Sequence, residues 1–480
     1  NGDPSIPLPG TPACGGLVPA LVLVGAVAIM GVVEHVLSVR ELLTHILGTL
    51  EYRSRPLMAV NHAWREAVLS LSHELLAFAG GNMSGQHGSG IFAGSVLSLQ
   101  HARTPDGALV RQVACGHYHT FIIGANGKLW ACGRNERGQL GLDCTGLREP
   151  RLRLVPPLPH PDTRISQVAC GASHSMVLSD VGKIFSCGDD SSGQLGFKDY
   201  FPESGSDLTA FRECPIRNVM GEERKSPVFH ISCGQHHSVA TLADGTLLTC
   251  GICLVGQLGL GTIASSIRGF TQVDAPCDSM LISRTACGKA HTFALASTGQ
   301  LFACGWNSSG QLGLGHLTDC SKFSCVPIPD GEAVAQVSCG AVHSCILLRS
   351  GQLLGCGYNG HGQLGVIGNP VHASAEKVTP PRMMAMPSKV REVTCGYEHT
   401  CVITSDGVLW TCGRNKNGAC ALGTSALRQW SFERVPVGQV LPPGWRAITT
   451  RVSCGCGGSG GHTAVLYRLV PCADRASANL

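Results

Sequence analysis

CGKAHTFALASTGQLFACGWNSSGQLGLG, residues 287–315, is one copy of a unit that recurs down most of the 480-residue chain. Each copy opens with Cys-Gly-x-x-His: Cys115 and His119, Cys170 and His174, Cys233 and His237, Cys287 and His291, Cys339 and His343, Cys395 and His399. A second Cys-Gly follows 17 residues after the first Cys, at Cys132, Cys187, Cys250, Cys304, Cys356 and Cys412. Five of the six copies then read Gly-Gln-Leu-Gly, and the sixth reads Gly418-Ala419-Cys420-Ala421. Successive copies start 52 to 63 residues apart, with the variation confined to the stretch after Gly-Gln-Leu-Gly. A fixed internal register of this kind marks an array of supersecondary units.

The unit has a physical reading. A short apolar run follows the His, as in Thr292-Phe293-Ala294-Leu295. A turn comes next with Gly at a fixed place: Gly127, Gly182, Gly245, Gly299, Gly351 and Gly407. Asn126-Gly127, Asp244-Gly245 and Asp406-Gly407 are favoured hairpin pairs, because both residues tolerate positive φ. A second apolar run returns to the second Cys-Gly, so each unit predicts a β-hairpin. Radial blades with insertions on loops are the expectation, which is a mainly β propeller over residues 75–470 with a tail at 471–480.

The two ends of this region are incomplete in complementary ways. Residues 77–90, AFAGGNMSGQHGSG, match the second half of a unit, with Gly85-Gln86-His87-Gly88 standing for Gly-Gln-Leu-Gly. Residues 452–466 match a first half: Cys454-Gly455 opens it, and His462 follows after a Gly/Ser insertion. Six whole units and two halves predict seven blades. A strand near Leu76–Gly80 should pair with a hairpin at His462–Leu469 and close the ring, because closure removes open sheet edges.

These residues resemble the regulator-of-chromosome-condensation repeat, which implies a seven-bladed β-propeller. The family commonly has Trp-Gly where this chain has its second Cys-Gly. A thiol is small and apolar enough to fill a buried site, so different packing is expected rather than a different fold.

Net charge is +4 with no basic tail, which gives no reason to expect a nucleic-acid partner. Of 25 Cys, thirteen occupy unit positions, including Cys454. They recur in the apolar register and read as reduced core residues, which places the chain in the cytoplasm or nucleus.

The N-terminal part differs. Residues 16–33 are nearly all apolar, at the lower edge of a membrane span. Pro19, Gly25 and Gly31 weaken this stretch as a helix, so within residues 1–33 membrane contact, packing on a neighbour and lack of fixed structure all stay open. Residues 34–72 carry Leu42, Leu43, Ile46, Leu47 and Leu50 at helical spacing. Ser38 and Glu41 have capping-box spacing. This stretch resembles an F-box through Leu37, Leu42, Leu43, Ile46, Leu47, Leu50, Val60 and Trp64. The resemblance implies docking on a Skp-type linker and a cullin ligase. It departs from the family at Arg40, where Pro is usual, and its link from Leu50 to Val60 is about one residue short. A plain helical hairpin is the alternative.

Candidate chemistry is sparse. One His per blade, His462 included, spreads around a ring, whereas a metal needs converging ligands. These His are expected to hydrogen-bond backbone between blades. Cys250-x-x-Cys253 has no second pair at zinc-finger spacing. No P-loop or nucleophile elbow is present. No catalytic residue, cofactor or metal is expected, and the chain reads as a non-enzyme. Three functions remain: adaptor of a cullin-type ubiquitin ligase, with propeller loops binding a protein substrate; exchange factor for a Ran-like small GTPase; and scaffold. In the exchange-factor branch acidic residues near the repeat His contact the GTPase. The residues before the His are Tyr118, Ser173, His236, Ala290, Val342 and Glu398, of which only one is acidic.

Overall fold

A computed structural model describes residues 74–471, apart from 161–162, 199–206, 218–220, 223, 275–280, 366–376, 439–444, 456 and 458–460. Leu37, Leu42, Leu43, Ile46, Leu47, Leu50, Val60 and Trp64, the apolar run at 16–33 and the tail at 472–480 lie outside the described residues. Among the described residues no helix is long and apolar enough to cross a membrane.

Among the described residues twenty-eight strands, β1 to β28 in chain order, form seven antiparallel four-stranded sheets. One sheet serves for the rest: β3 (Val110–Cys115), β4 (His119–Gly124), β5 (Leu129–Asn135) and β6 (Gly146–Leu154). The expected hairpin is β4–β5, paired from His119↔Gly133 to Ile123↔Leu129. Each unit contains more than that hairpin. The residues before the first Cys form a strand of their own, and these first strands touch one another from sheet to sheet, so they surround the axis. Outer strands come from segments that read as loops. Within 199–228 lies β10 (Leu208–Cys214), and within 374–389 lies β22 (Lys377–Met383). Alternation is weak in these outer strands because both faces are half-exposed, which hides the strand period.

Closure occurs at the complementary halves. β1 (Leu75–Asn82) pairs with β28 (His462–Pro471), from Leu75↔Tyr467 to Gly80↔His462. The expected hairpin at His462–Leu469 is instead one strand: β28 is flanked by β1 on one side and β27 (Trp445–Cys454) on the other. Its middle position explains why Ala464, Val465 and Leu466 are fully buried.

The core is divided among the seams between sheets. Phe121, Val177 and Phe185 fill one, drawing on two neighbouring sheets. Phe293, Ile346 and Leu354 fill another. At the last seam Ala77, Ala79 and Val465 of the closing sheet pack on Cys401, Ile403 and Leu409. Burial of this kind stabilises by roughly 25 cal/mol per Å² of apolar surface, and no sheet can bury its inner faces alone.

The sixth unit carries backbone strain. The second Gly of Gly-Gln-Leu-Gly has positive φ, 63° at Gly141 and 68° at Gly313. Ala421 holds that position at 57°. A left-handed conformation costs an L-residue about 1–2 kcal/mol. Ala421→Gly should therefore stabilise the fold by about 1 kcal/mol in urea unfolding. Deleting residues 75–90 should do the opposite, lowering the stability of the whole propeller. An unchanged unfolding midpoint would show that β1 is dispensable for closure.

Candidate functional site

The repeat His residues are buried, with at most 1% exposure. Strand β4 points His119 across the seam, where its Nε2 meets Ser175 Oγ at 2.9 Å. The same contact recurs at every seam: His174 with Ser238, His237 with Thr292, His291 with Ser344, His343 with Thr400, His399 with Thr463 and His462 with Thr120, at 2.9–3.0 Å. Each hydroxyl donates onward to a backbone carbonyl. Thr120 donates to Gln86, Ser175 to Gln139 and Thr463 to Ala419, at 2.7–2.8 Å. The hydroxyl has one proton and spends it on the carbonyl, so its oxygen accepts from the imidazole. The expected bond from His to backbone is thus a two-step relay through a side-chain hydroxyl. The relay also accounts for Cys-Gly-x-x-His: a Cβ on Gly116 would lie 2.3 Å from His119 Cε1.

Burial sets the protonation of these rings. It pushes His119, His237 and His291 down to about 3, and His174 and His462 well below the usual imidazole range. These five rings are neutral, and all seven repeat His face inward and are closed to solvent. They hold sheets together and offer nothing to a substrate.

The thiols divide into two kinds. The second Cys of each unit is fully buried and aims at the same Gln carbonyl as the relay, 3.4 Å for Cys132 to Gln86 and 3.6 Å for Cys187 to Gln139. Burial raises both of these thiols. Cys250 and Cys253 act separately, on Gln194 O at 3.8 Å and Thr262 O at 3.4 Å. Cys395 and Cys401 differ. Burial raises each, but hydrogen bonds from a neighbouring thiol and imidazole outweigh it, leaving Cys395 well below the thiol range and Cys401 at about 6. The first Cys residues Cys115, Cys339 and Cys454 are buried, while Cys170, Cys233 and Cys287 are partly so.

Half-buried side chains gather in a collar of loops between the first and second strands of the units. Loops from Cys-Gly to His meet across seams, with His117 N on Gly171 O at 3.3 Å and Ala341 N on Tyr397 O at 3.0 Å. In each unit the residue before the His accepts from the residue after the second Cys-Gly, as Tyr118 O from Arg134 N and Ala290 O from Trp306 N, both 2.8 Å. Tyr118, Arg134, Lys289, Trp306, Tyr358, Tyr397, Glu398 and Arg414 are all half-buried. Arg134 lies over the Tyr118 ring at 5.8 Å, and Lys289 over Trp306 at 5.7 Å. Glu398 is engaged by Arg414 and, at 3.5 Å, by His361. Burial raises its carboxyl, yet those two partners win and hold it below the usual range. Half-buried aromatics beside Arg are the composition of an interface core. Partner binding is expected on loops, with no face specified by the sequence. The collar is not legible there because its positions repeat in place, not in residue type.

An Asn is also absent from the motifs drawn from the sequence. Asn135 Oδ1 accepts Leu140 N at 3.0 Å, and Asn307, Asn359 and Asn415 repeat the bond. Its place two residues after the second Cys-Gly pair's Gly was visible in the sequence.

The His relay generates a pH dependence. The unfolded chain takes up protons near the ordinary value of 6.5, while the folded chain resists down to about 3. Stability is therefore complete above 6.5 and falls as pH drops through that window, by up to about 1.4 kcal/mol per pH unit for each of these five His. The urea midpoint should be level from pH 7 to 8, drop steeply on acidification, and drop less steeply in His291→Gln. A midpoint unchanged between pH 7 and 5 would mean the rings are charged when folded.

Residues 74–465 match the RCC1-like domain family. A human RCC1-like G exchanging factor-like protein is 30% identical over 336 residues, covering 65% of this chain and 69% of its own. The human probable E3 ubiquitin-protein ligase HERC6 is 31% identical over 308 residues; the match covers 63% of this chain but spans only 28% of HERC6. Among solved structures, Prp20p of Saccharomyces cerevisiae, described with its binding properties to Gsp1p and histones, superimposes with TM-score 0.71 at 20% identity, over 84% of this chain and 93% of that one.

Proposed function

The chain belongs to the RCC1-like domain family, and from that premise we propose that its propeller is a protein-binding platform whose collar receives the partner. The observation that carries the reading is the contrast between the two groups of repeated residues. The His, Ser/Thr and Cys positions are buried and spent on seams. The collar positions around Tyr118, Trp306, Tyr358 and Tyr397 stay half-exposed, with cations stacked on two of the rings. Large aromatic side chains contribute area at small entropic loss.

In the finer form of the proposal the platform selects substrates for a cullin-type ubiquitin ligase, and residues 34–72 are the hook for a Skp-type linker. Leu37, Leu42, Leu43, Ile46, Leu47, Leu50, Val60 and Trp64 carry that part. Their apolar count exceeds what one narrow helix stripe needs, which leaves a set for a groove on the linker. The relative named as a probable ubiquitin ligase supports a ligase setting for such a propeller.

Exchange on a small GTPase is the second reading, favoured by the relative named as G exchanging factor-like. The one carboxylate directly before a repeat His, Glu398, is already engaged by Arg414 and His361. That leaves little free negative charge at this position for a basic partner.

Co-precipitation separates the readings. The full chain should capture a Skp-type linker, and Leu43→Asp or removal of residues 1–74 should abolish capture with the propeller still folded by circular dichroism. Trp306→Ala and Tyr118→Ala should keep the linker and lose the substrate. Capture of a GDP-bound small GTPase in place of the linker would move the assignment to exchange. Equal capture by the propeller alone would remove residues 34–72 from it.

A further inference from the structure

Two adjacent seams hold side chains that the others lack. Two residues after the repeat His the other sheets carry Phe121, Met176, Val239, Phe293 and Ala464. Cys345 and Cys401 occupy that position on β20 (His343–Leu348) and β24 (His399–Thr404). Residues i and i+2 of a strand share a face. Cys345 therefore points with His343 towards the next sheet, and Cys401 points with His399. The next sheet answers with its own first Cys. Cys395 sits opposite Thr400, the residue whose hydroxyl meets His343. Cys454 sits opposite Thr463, which meets His399. One potential ligand atom each from His343, Cys345 and Cys395 lie within 4.8 Å of one another, and so do those from His399, Cys401 and Cys454. None of the six residues is more than 4% exposed.

We propose that each of these seams binds one thiophilic d10 cation, Zn2+ or Cu+, through its His-Cys-Cys set. Thiolate sulfur with imidazole nitrogen is the donor set such ions prefer over hard cations. Two thiolates and a neutral imidazole around Zn2+ sum to zero charge, the condition a dry seam imposes. Binding releases the two thiol protons to solvent. A fourth donor stands close: Thr400 Oγ1 is 3.9 Å from Cys345 Sγ, and Thr463 Oγ1 is 4.0 Å from Cys454 Sγ. Both hydroxyls give their proton to a carbonyl, of Gln363 and Ala419, and an imidazole that ligates the ion through Nε2 gives up its N–H bond to the same oxygen, so in these two seams the ion takes over that step of the relay. The ligands come from two sheets at each seam, so the ion cross-links neighbouring blades. Three consecutive sheets, the last of them the closing one, are joined in this way.

The repeat His by themselves diverge around the ring and cannot gather on one ion. The converging ligands are a non-repeat Cys beside each His and a Cys that comes from the following unit.

Elemental analysis of the full chain, purified without chelator, tests the proposal. About two equivalents of zinc or copper per chain are expected, about one in Cys345→Ser or Cys401→Ser, and none in the double variant. Cys144→Ser, exposed and outside both clusters, should leave the content unchanged. A strong chelator should lower the melting temperature of the unmodified chain, because removing an ion bound only by the folded state withdraws its stabilisation. This readout needs no variant to fold. Less than about 0.1 equivalent of both metals in the unmodified chain overturns the proposal. So does a metal content that survives in the double variant, or a Cys345–Cys395 disulfide found by mass spectrometry.

Discussion

Each seam of this propeller depends on one hydrogen-bonded relay, from imidazole Nε2 to a Ser or Thr hydroxyl to a backbone carbonyl. The acceptor is main chain, which explains why the sixth unit can abandon Gly-Gln-Leu-Gly. Thr463 donates to the carbonyl of Ala419 at 2.7 Å as Thr120 does to that of Gln86 at 2.8 Å. The Gln side chain has a separate task, accepting the N–H two residues back, as Gln139 does from Arg137 at 3.0 Å. Losing it removes one local bond and leaves the seam intact. Neutral buried partners make the relay strong in a low-dielectric site and expensive to break.

Cysteine in place of the family's Trp fits the same constraint. At the second Cys-Gly the thiol shares the relay's carbonyl, between 3.4 Å at Cys132 and 3.8 Å at Cys250. A small side chain there lets the neighbouring sheet approach, and the weak S–H donor uses the carbonyl's second lone pair. Gly133 beside it is held at φ 109°, where a Cβ would meet Tyr118 O at 2.3 Å. Cys-Gly is thus a packing solution on both residues. Seams so built bury their repeat side chains, while Trp306 and Tyr118 of the collar stay half-buried.

Much of this was legible in the sequence. The unit length, the seven blades, the β4–β5 hairpin and the closing partnership of Leu76–Gly80 with His462–Leu469 follow from periodicity and from two half-units at opposite ends, though the second partner is one strand and not a hairpin. These are local or repeating features, and repetition carries them into one dimension. The identity of the His partner was not legible, because Ser175 lies 56 residues from His119 and Thr120 lies 342 from His462. The outer strands β10 and β22 were not legible either, since their exposed faces erase the alternation. The collar and the His343-Cys345-Cys395 group exist only where the ring brings neighbouring units together. Sequence by itself determined what each unit is; the closed ring decided what each unit touches, because contacts across a seam join residues that no local period relates.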